Sequence, residues 1–251
     1  MNFERKTKIL DLLRTNGQVY LKDLKKLFPE VSEMTLRRDI EYFERTGEAV
    51  RIKGGARCFD FNASRVEEIF AKRLSLNSAA KERIASLALP FAESGRSLYL
   101  DSGSTLLAFA KKLSGNLSVV TSGPHIAVEV AKNPGVSVTL LGGSFNKDSQ
   151  SVSGAQSIEF VKKLKIDVAF MSASAISEQG ATLGNHSESE LKNTVIRRAT
   201  KRIMLVDSGK FNKTMPFSFA SFSDIDIIIT DKKPSDEFLF NTNIYGIKVL
   251  W

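Results

Sequence analysis

The feature of this sequence that most constrains its fold is a change in the spacing of its apolar residues. From residue 4 to about residue 45 they recur every three or four positions, as in amphipathic helices. From about residue 96 they form short continuous runs, which are typical of buried strands. A chain of 251 residues is long enough for a core in each part. We therefore expect two domains of different architecture.

The first pattern predicts three short helices followed by a β-hairpin. Ser32 stands where an N-cap would accept a backbone N–H of the third helix. The stretch AVRIKGGARCF at residues 49–59 predicts two strands around Gly54-Gly55, since glycine tolerates the positive φ of a tight turn. Three helices and a hairpin form a winged helix-turn-helix, which we place at residues 1–58. The apolar positions of its helices are Ile9, Leu12, Leu13, Leu21, Leu24, Leu27, Phe28, Leu36, Ile40 and Phe43.

The third predicted helix has an apolar face and a basic face. Residues 1–58 carry a net charge of +4, as much as the remaining part of the chain, which is more than three times as long. Arginine side chains can bond guanine in the major groove, and hydroxyl groups can bond phosphate. A basic outer helix face that is simply solvated is the alternative interpretation. The expected DNA-binding residues are Ser32, Met34, Thr35, Arg37 and Arg38 on the helix, with Arg51 and Lys53 on the hairpin.

The second pattern predicts an α/β domain. Seven apolar runs, from SLYL at residues 97–100 to IKVL at residues 247–250, alternate with segments of helical periodicity. This alternation favours a mostly parallel, Rossmann-like sheet with helices on both faces, and we place the domain at residues 77–251. The polar residues 59–76 are expected to form a linker.

Small polar loops follow several of the predicted strands. Residues 101–105 (DSGST) end the first strand and open a helix, so backbone N–H groups and hydroxyls are available for a phosphate. The carboxyl ends of parallel strands meet at one edge of a sheet, where such loops can line a common crevice. The sequence contains neither the Walker motif nor the G-x-G-x-x-G fingerprint. Ordinary turns and a solvated loop lysine are the alternative interpretation.

The order of the residues resembles the DeoR family of bacterial transcription regulators. The resemblance rests on SEMTLRRDI at residues 32–40 and RIKGGA at residues 51–56, and further along on residues 101–105 and 207–211. It implies a winged helix that binds operator DNA and a C-terminal sensor similar to the phosphosugar isomerase fold. It also implies that the loop at 101–105 and Lys210 hold a phosphorylated sugar. Together, the polar loops and the resemblance give ten expected effector-binding residues: Asp101, Gly103, Ser104, Thr105, Thr121, Gly142, Gly143, Lys192, Asp207 and Lys210.

Three other functions are compatible with the sequence. The sensor could have lost its effector, because Thr121-Ser122 and residues 172–175 (SASA) depart from the family pattern and added Cβ atoms narrow a ligand loop. The chain could be an enzyme similar to phosphosugar isomerases, which need a carboxylate and a lysine. The candidates for those roles are Glu188, Glu190, Asp207 and Lys210. A protein that binds all DNA sequences alike is the third alternative.

The remaining expectations concern surroundings and partners. A single cysteine, Cys58, and only His125 and His186 predict no metal site, and we expect neither a cofactor nor a catalytic residue. No apolar run of about eighteen residues occurs, and the first ten residues are charged, so we expect a cytoplasmic protein away from membranes. One winged helix buries too little surface for tight operator binding, so a homodimer or homotetramer is expected. The predicted function is a regulator, most simply a repressor of carbohydrate-metabolism genes.

Overall fold

The computed structural model describes residues 2–16, 18–46, 49–58 and 70–251. The chain divides into two compact units, a first unit of residues 1–66 and a second unit of residues 67–251. Each unit has a hydrophobic core of its own. The prediction of two domains with different architectures therefore agrees with the separation of the chain.

The first unit is the predicted winged helix-turn-helix. Its strands form an antiparallel sheet in the order β1-β3-β2, in which the short strand β1 joins the predicted hairpin. Gly54 has a φ of +81°, and a Cβ on Gly55 would collide with the backbone of Val19, so both turn positions require glycine. The elements of this unit are α1 (Asn2–Asn16), β1 (Gln18–Tyr20), α2 (Leu21–Leu27), α3 (Glu33–Arg45), β2 (Ala49–Ile52) and β3 (Gly55–Cys58).

The core of the first unit comes from the helical apolar pattern. Leu36, Ile40 and Phe43 of α3 are buried against α1 and the hairpin. Asp39 lies on the same inner side and accepts a 2.7 Å hydrogen bond from Nε of Arg5 on α1. Asp39 is therefore paired with α1 and does not belong to the outer face of the helix. The opposite face of α3 therefore stays free of core contacts.

Part of the expected linker is helical. Residues 59–69 lie outside the described residues, but the following stretch forms helix α4 (Phe70–Ser75) in the second unit. The physical reason is the burial of Phe70, which is 3% exposed and donates its backbone N–H to the carbonyl of Asp148 at 2.7 Å. The stretch is mostly polar in composition, so the burial of Phe70 could not be predicted from the sequence.

The second unit is built on a seven-stranded, entirely parallel sheet. Its strand order is β15-β14-β12-β9-β4-β5-β6, which confirms the predicted Rossmann-like α/β class. The elements after α4 are α5 (Ser78–Ala88), β4 (Ser97–Leu100), α6 (Ser104–Ala110), β5 (Leu117–Thr121), α7 (Pro124–Val130), β6 (Val136–Leu140), β7 (Ser144–Asn146), β8 (Ser151–Ser153), α8 (Ala155–Lys162), β9 (Ile166–Met171), β10 (Ala175–Ser177), β11 (Gly180–Leu183), α9 (His186–Arg198), β12 (Ala199–Leu205), β13 (Phe217–Ala220), β14 (Ile227–Ile229), α10 (Asp236–Ile244) and β15 (Lys248–Leu250).

Both faces of this sheet are covered. Leu98 and Leu100 of β4 pack on the side of α5, α6 and α7, whereas Tyr99 between them packs on the side of α8, α9 and α10. Burial on both faces explains why the strands appear in the sequence as continuous apolar runs. The hairpin β7-β8, the small sheet β10-β11-β13 and helix α10 were not predicted. Their strands have three or four residues, too few for a clear periodicity.

The strand order places a crevice near the middle of the sheet. From β4 the chain moves to β5 and β6 on one side, and then crosses back to β9 and β12 on the other. Where the direction reverses, the loops after neighbouring strands separate and leave an opening at their carboxyl ends. Ligands of open α/β sheets bind at this position, which the loops after β4, β9 and β12 border in this chain.

Candidate DNA interface and ligand crevice

The first turn of α3 is fixed by its N-cap. The Oγ of Ser32 accepts a 3.2 Å hydrogen bond from the backbone N–H of Thr35, and the two hydroxyl oxygens are 2.8 Å apart. Ser32 therefore acts in the free protein as the predicted helix cap. Its neighbour Met34 is 62% exposed, which is unusual for a large apolar side chain.

The predicted basic residues are exposed on the first unit. Arg37 and Arg38 both lie on the outer side of α3, and Arg37 Nη2 bonds Glu33 Oε1 at 2.9 Å. Arg51 on β2 approaches Glu41 of α3 with an N···O distance of 3.5 Å. This contact brings the basic side chain of the hairpin next to the helix. The last member of the expected set, Lys53, is exposed at the hairpin turn.

A crevice at the carboxyl edge of the sheet contains half of the expected effector-binding residues. Its empty space, including the solvent at its mouth, is about 470 Å³. Polar groups surround it, among them three cationic side chains. We define the crevice by its lining residues, which are Arg73, Leu76, Asn77, Lys81, Gly103, Ser104, Thr105, Ser172, Ala173, Leu205, Val206, Asp207 and Lys210.

The loop after β4 approaches the loop after β9 closely. Gly103 has a φ of +156°, and a Cβ there would lie 2.9 Å from Ser172 Oγ. Ser104 and Thr105 follow as the first two residues of α6 and are largely buried. The first N–H groups of a helix have no partner within the helix. The loop thus brings hydroxyls and backbone donors to one side of the crevice.

A buried ion pair lies beside this loop, on the side away from the crevice. Asp101 Oδ2 lies 2.7 Å from Lys192 Nζ and also accepts hydrogen bonds from the backbone N–H and the hydroxyl of Ser172. Lys192 in turn donates to the carbonyl of Ser172 at 2.8 Å. Asp101 and Lys192 do not belong to the crevice lining. The structure therefore places them under the site, where they fix the position of Ser172.

The loop after β12 carries an ordered carboxylate. Asp207 Oδ1 accepts hydrogen bonds from the backbone N–H of Gly209 at 3.0 Å and from Nδ2 of Asn77 at 3.1 Å. Asp207 is 4% exposed, whereas Lys210, three residues later, is only half-buried in the crevice. The side chain of Lys210 therefore has the solvent access that an entering anion needs.

Like Asp101 and Lys192, three further expected residues lie outside the crevice lining. The Oγ1 of Thr121 accepts the backbone N–H of Gly123, and the carbonyl of Gly142 accepts the hydroxyl of Ser157. A Cβ on Gly143 would lie 2.5 Å from the carbonyl of Ser153, so this glycine allows two backbones to approach. These residues shape the ends of β5 and β6.

The serine that departs from the family pattern after β5 is buried. Ser122 accepts a 3.0 Å hydrogen bond from the hydroxyl of Tyr99, which is fully buried. Burial, together with the charge of Asp101, raises the pKa of Tyr99 far above its ordinary value. The phenol is therefore a permanent hydrogen-bond donor, and Ser122 serves packing rather than the crevice.

Comparison with known proteins identifies the family. The profile of the DeoR C-terminal sensor domain matches residues 76–232, and that of the DeoR-like helix-turn-helix domain matches residues 5–61. The chain belongs to the DeoR family. It is a DNA-binding transcriptional regulator, with the winged helix of the first unit as its DNA-binding domain.

Curated DeoR-type relatives match almost the full chain. The HTH-type transcriptional regulator GolR of Listeria innocua is 34% identical over 237 residues, which cover 92% of this chain and 91% of the relative. A putative aga operon transcriptional repressor of Escherichia coli O157:H7 is 30% identical, covering 98% and 93%. The transcriptional repressor GlcR of Bacillus subtilis is 28% identical, covering 98% and 95%.

Three polar residues that line the crevice of this DeoR chain, Arg73, Asn77 and Lys81, were not expected from its sequence. Arg73 lies in the stretch interpreted as a linker, and Asn77 meets Asp207 across 130 residues of sequence. Lys81 had a detectable signal, because it occupies the same helix face as the buried Ile84 and Ala88. A lysine within an apolar stripe is unusual, since lysine is rarely buried without a partner.

The four residues considered for isomerase chemistry do not all meet. Asp207 and Lys210 line the crevice. Glu188 is buried elsewhere and accepts hydrogen bonds from the hydroxyls of Ser149 and Ser151. Glu190 is 56% exposed beside His186. Within the described ranges there is neither a cluster of three metal-ligating side chains nor a helix able to cross a membrane.

Proposed function

We propose that this DeoR-family regulator represses carbohydrate-metabolism genes and that a phosphorylated sugar in the crevice sets its affinity for the operator. The observation that carries the proposal is the position of Lys210, Lys81 and Arg73 around one opening at the strand-order reversal. Three cationic side chains next to a loop rich in N–H and hydroxyl donors suit a phosphate dianion. The direction of control is supported by two relatives, the putative aga operon repressor of E. coli and the repressor GlcR of B. subtilis.

In this proposal the outer face of α3 enters the major groove. Arg37 and Arg38 bond base edges there, while Arg51 and Lys53 on the hairpin bond the DNA backbone. Ser32, Met34 and Thr35 complete the surface at the start of the helix. The exposure of the arginines and the contact between Arg51 and Glu41 support this arrangement.

Within the crevice, the proposed ligand contacts are Gly103, Ser104, Thr105, Asp207 and Lys210. The phosphate faces the loop and the cations, and Asp207 accepts hydrogen bonds from sugar hydroxyls. Thr121, Gly142 and Gly143 are not proposed as contacts, because they line no part of the crevice.

We also propose that the chain has no catalytic activity. Isomerisation needs an acid and a base on either side of the reacting carbons. Of the acidic candidates, Asp207 alone lines the crevice, and it already accepts two hydrogen bonds. A homodimer or homotetramer that binds repeated half-sites in the cytoplasm completes the proposal, since a single winged helix gives a small DNA interface.

The test is a calorimetric titration of the full chain with inorganic phosphate, pentose 5-phosphates and hexose 6-phosphates, paired with operator retardation in the presence of each ligand. The Lys210→Ala variant should bind the best ligand roughly 10- to 100-fold more weakly, because a hydrogen bond to a charged group is lost. The matched control is Lys232→Ala, which removes an exposed lysine outside the crevice. Binding by no phosphorylated sugar, or operator affinity unchanged by every bound ligand, would contradict the proposal.

A further inference from the structure

Helix α4 is held firmly at its beginning. The ring of Phe70 stacks on the ring of His125, with centroids 5.3 Å apart and an interplanar angle of 5°. His125 lies on α7 and also bonds Gln150, and the backbone N–H of Phe70 bonds Asp148. His125 and Asp148 lie outside the crevice lining, whereas the guanidinium group of Arg73, which lines the crevice, lies 5.7 Å from the centre of the Phe70 ring.

The other end of α4 is in contact with a buried lysine of α5. Lys81 of α5 is 5% exposed, and its ammonium group donates to the carbonyls of Arg73 and Leu76. The last carbonyls of a helix have no partner within the helix, and a cation near them is favourable. Lys81 therefore serves as a cationic cap for the end of α4 and the turn after it.

The same ammonium group belongs to the crevice. Lys81 and Arg73 line it together with Ser104 and Thr105. A phosphate dianion is a stronger acceptor than a neutral carbonyl, because hydrogen bonds between ionised groups are shorter and about twice as strong as neutral ones. An anion in the crevice thus competes with the end of α4 for Lys81.

We infer that Lys81 is a further ligand-binding residue and that it couples occupancy of the crevice to α4. Bound phosphate draws the ammonium group away from the carbonyls of Arg73 and Leu76. The end of α4 is released while its start stays anchored on His125. In the sequence, α4 begins four residues after the boundary between the two units, which lies between Val66 and Glu67. The inference rests on the proposed function, since it needs an anionic ligand in the crevice.

Hydrogen exchange on the full chain tests the release of α4 directly. Millimolar inorganic phosphate, compared with chloride at equal ionic strength, should speed exchange of the amides in residues 70–77. The same addition should slow exchange at residues 103–105, where the phosphate binds. Unchanged or slower exchange at residues 70–77 in the presence of bound phosphate would overturn the inference.

Two variants separate the anchor from the ligand contact. Lys81→Met should weaken phosphate binding about tenfold, through loss of a charged hydrogen bond, and should give fast exchange at residues 70–77 even without ligand. His125→Ala changes an exposed residue and removes the stacking partner of Phe70. It should leave ligand affinity within about twofold, less than 0.5 kcal/mol, but reduce the ligand-dependent change in operator affinity severalfold. Val128→Ala, an exposed change on the same helix, should behave as the unmodified protein.

The outcomes distinguish this inference from the function on which it rests. If no phosphorylated ligand binds the unmodified chain, both fail. If ligand binds and changes operator affinity, yet His125→Ala responds like the unmodified protein and α4 exchange is constant, the coupling through Lys81 is wrong while the proposed function stands. Faster exchange at α4 together with the weakened response of His125→Ala supports the inference.

Discussion

The two units hold their positive charge in opposite ways. On α3, Arg37 and Arg38 are exposed, and Arg37 pairs with a carboxylate of its own helix that is equally accessible to water. In the second unit, Lys81 and Lys192 are 5% and 6% exposed, and both donate to backbone carbonyls. Exposed arginines can exchange one anion for another at little cost. A buried lysine cannot leave its acceptors without a change in the structure around it. Binding of an anion to such a lysine is therefore expected to alter the surrounding structure.

The largest effect that tests this comparison is expected at the buried pair. Lys192→Met leaves Asp101 charged and buried without its cation, which should lower the free energy of unfolding of the second unit by about 3–5 kcal/mol. Trp251 is the one tryptophan of the chain and lies in the second unit, so its fluorescence in a denaturant titration reports on that unit. Adding Asp101→Asn to Lys192→Met should recover part of the loss. If Lys192→Met lowered the free energy of unfolding by less than about 1 kcal/mol, as for an exposed ion pair, the buried pair would not differ from the surface pairs of the first unit.

A smaller effect, on binding rather than folding, is expected on α3. Arg38→Ala should weaken operator binding by about 1–3 kcal/mol, because a bidentate contact to a base is lost, and should leave the unfolding transition unchanged. Arg197→Ala removes the same charge from an exposed position on α9 and is the control. Gel retardation of operator and random DNA at several salt concentrations separates the contribution of base contacts from that of phosphate contacts. Equal losses on operator and random DNA would mean that Arg38 contacts phosphate alone.

The smallest effect concerns the acidic partner of Arg37. Glu33→Gln frees the guanidinium group, which should raise affinity for random DNA by less than about 1 kcal/mol, the value of an exposed ion pair. Glu44→Gln removes an equal charge from the same helix without touching Arg37. The difference between the two variants isolates the ion pair from net charge. Identical binding curves for both would show that Glu33 does not restrain Arg37.

The winged helix and the parallel sheet could be predicted from the sequence, because a buried face makes apolar residues recur with a regular period. The apolar stripe of α3 and the continuous runs of the parallel strands each follow from the face that is buried. The outer face of α3 could be deduced in the same way, since exposed residues are what the stripe leaves over. The Ser32 cap likewise needs only residues within one helical turn.

The crevice could be predicted only in part, because its contacts join distant residues. The loop at residues 101–105 can be recognised by its small polar residues. Asp207, however, bonds Asn77, and Phe70 stacks on His125, and both contacts join residues far apart in the sequence. No local pattern encodes such pairs. Lys192 illustrates the converse, since a residue expected from the family resemblance to contact the effector is a buried partner of Asp101 and does not line the crevice.

The topology of the central strand has a consequence for synthesis of the protein. The winged helix is complete by residue 58, whereas β4 must wait for β9, whose Asp167 meets Ser97 across 70 residues. Chains emerge from the ribosome starting at the N-terminus, and domains generally fold as units. The DNA-binding domain therefore folds while most of the sheet is still untranslated, so the cores of the two units form one after the other during synthesis.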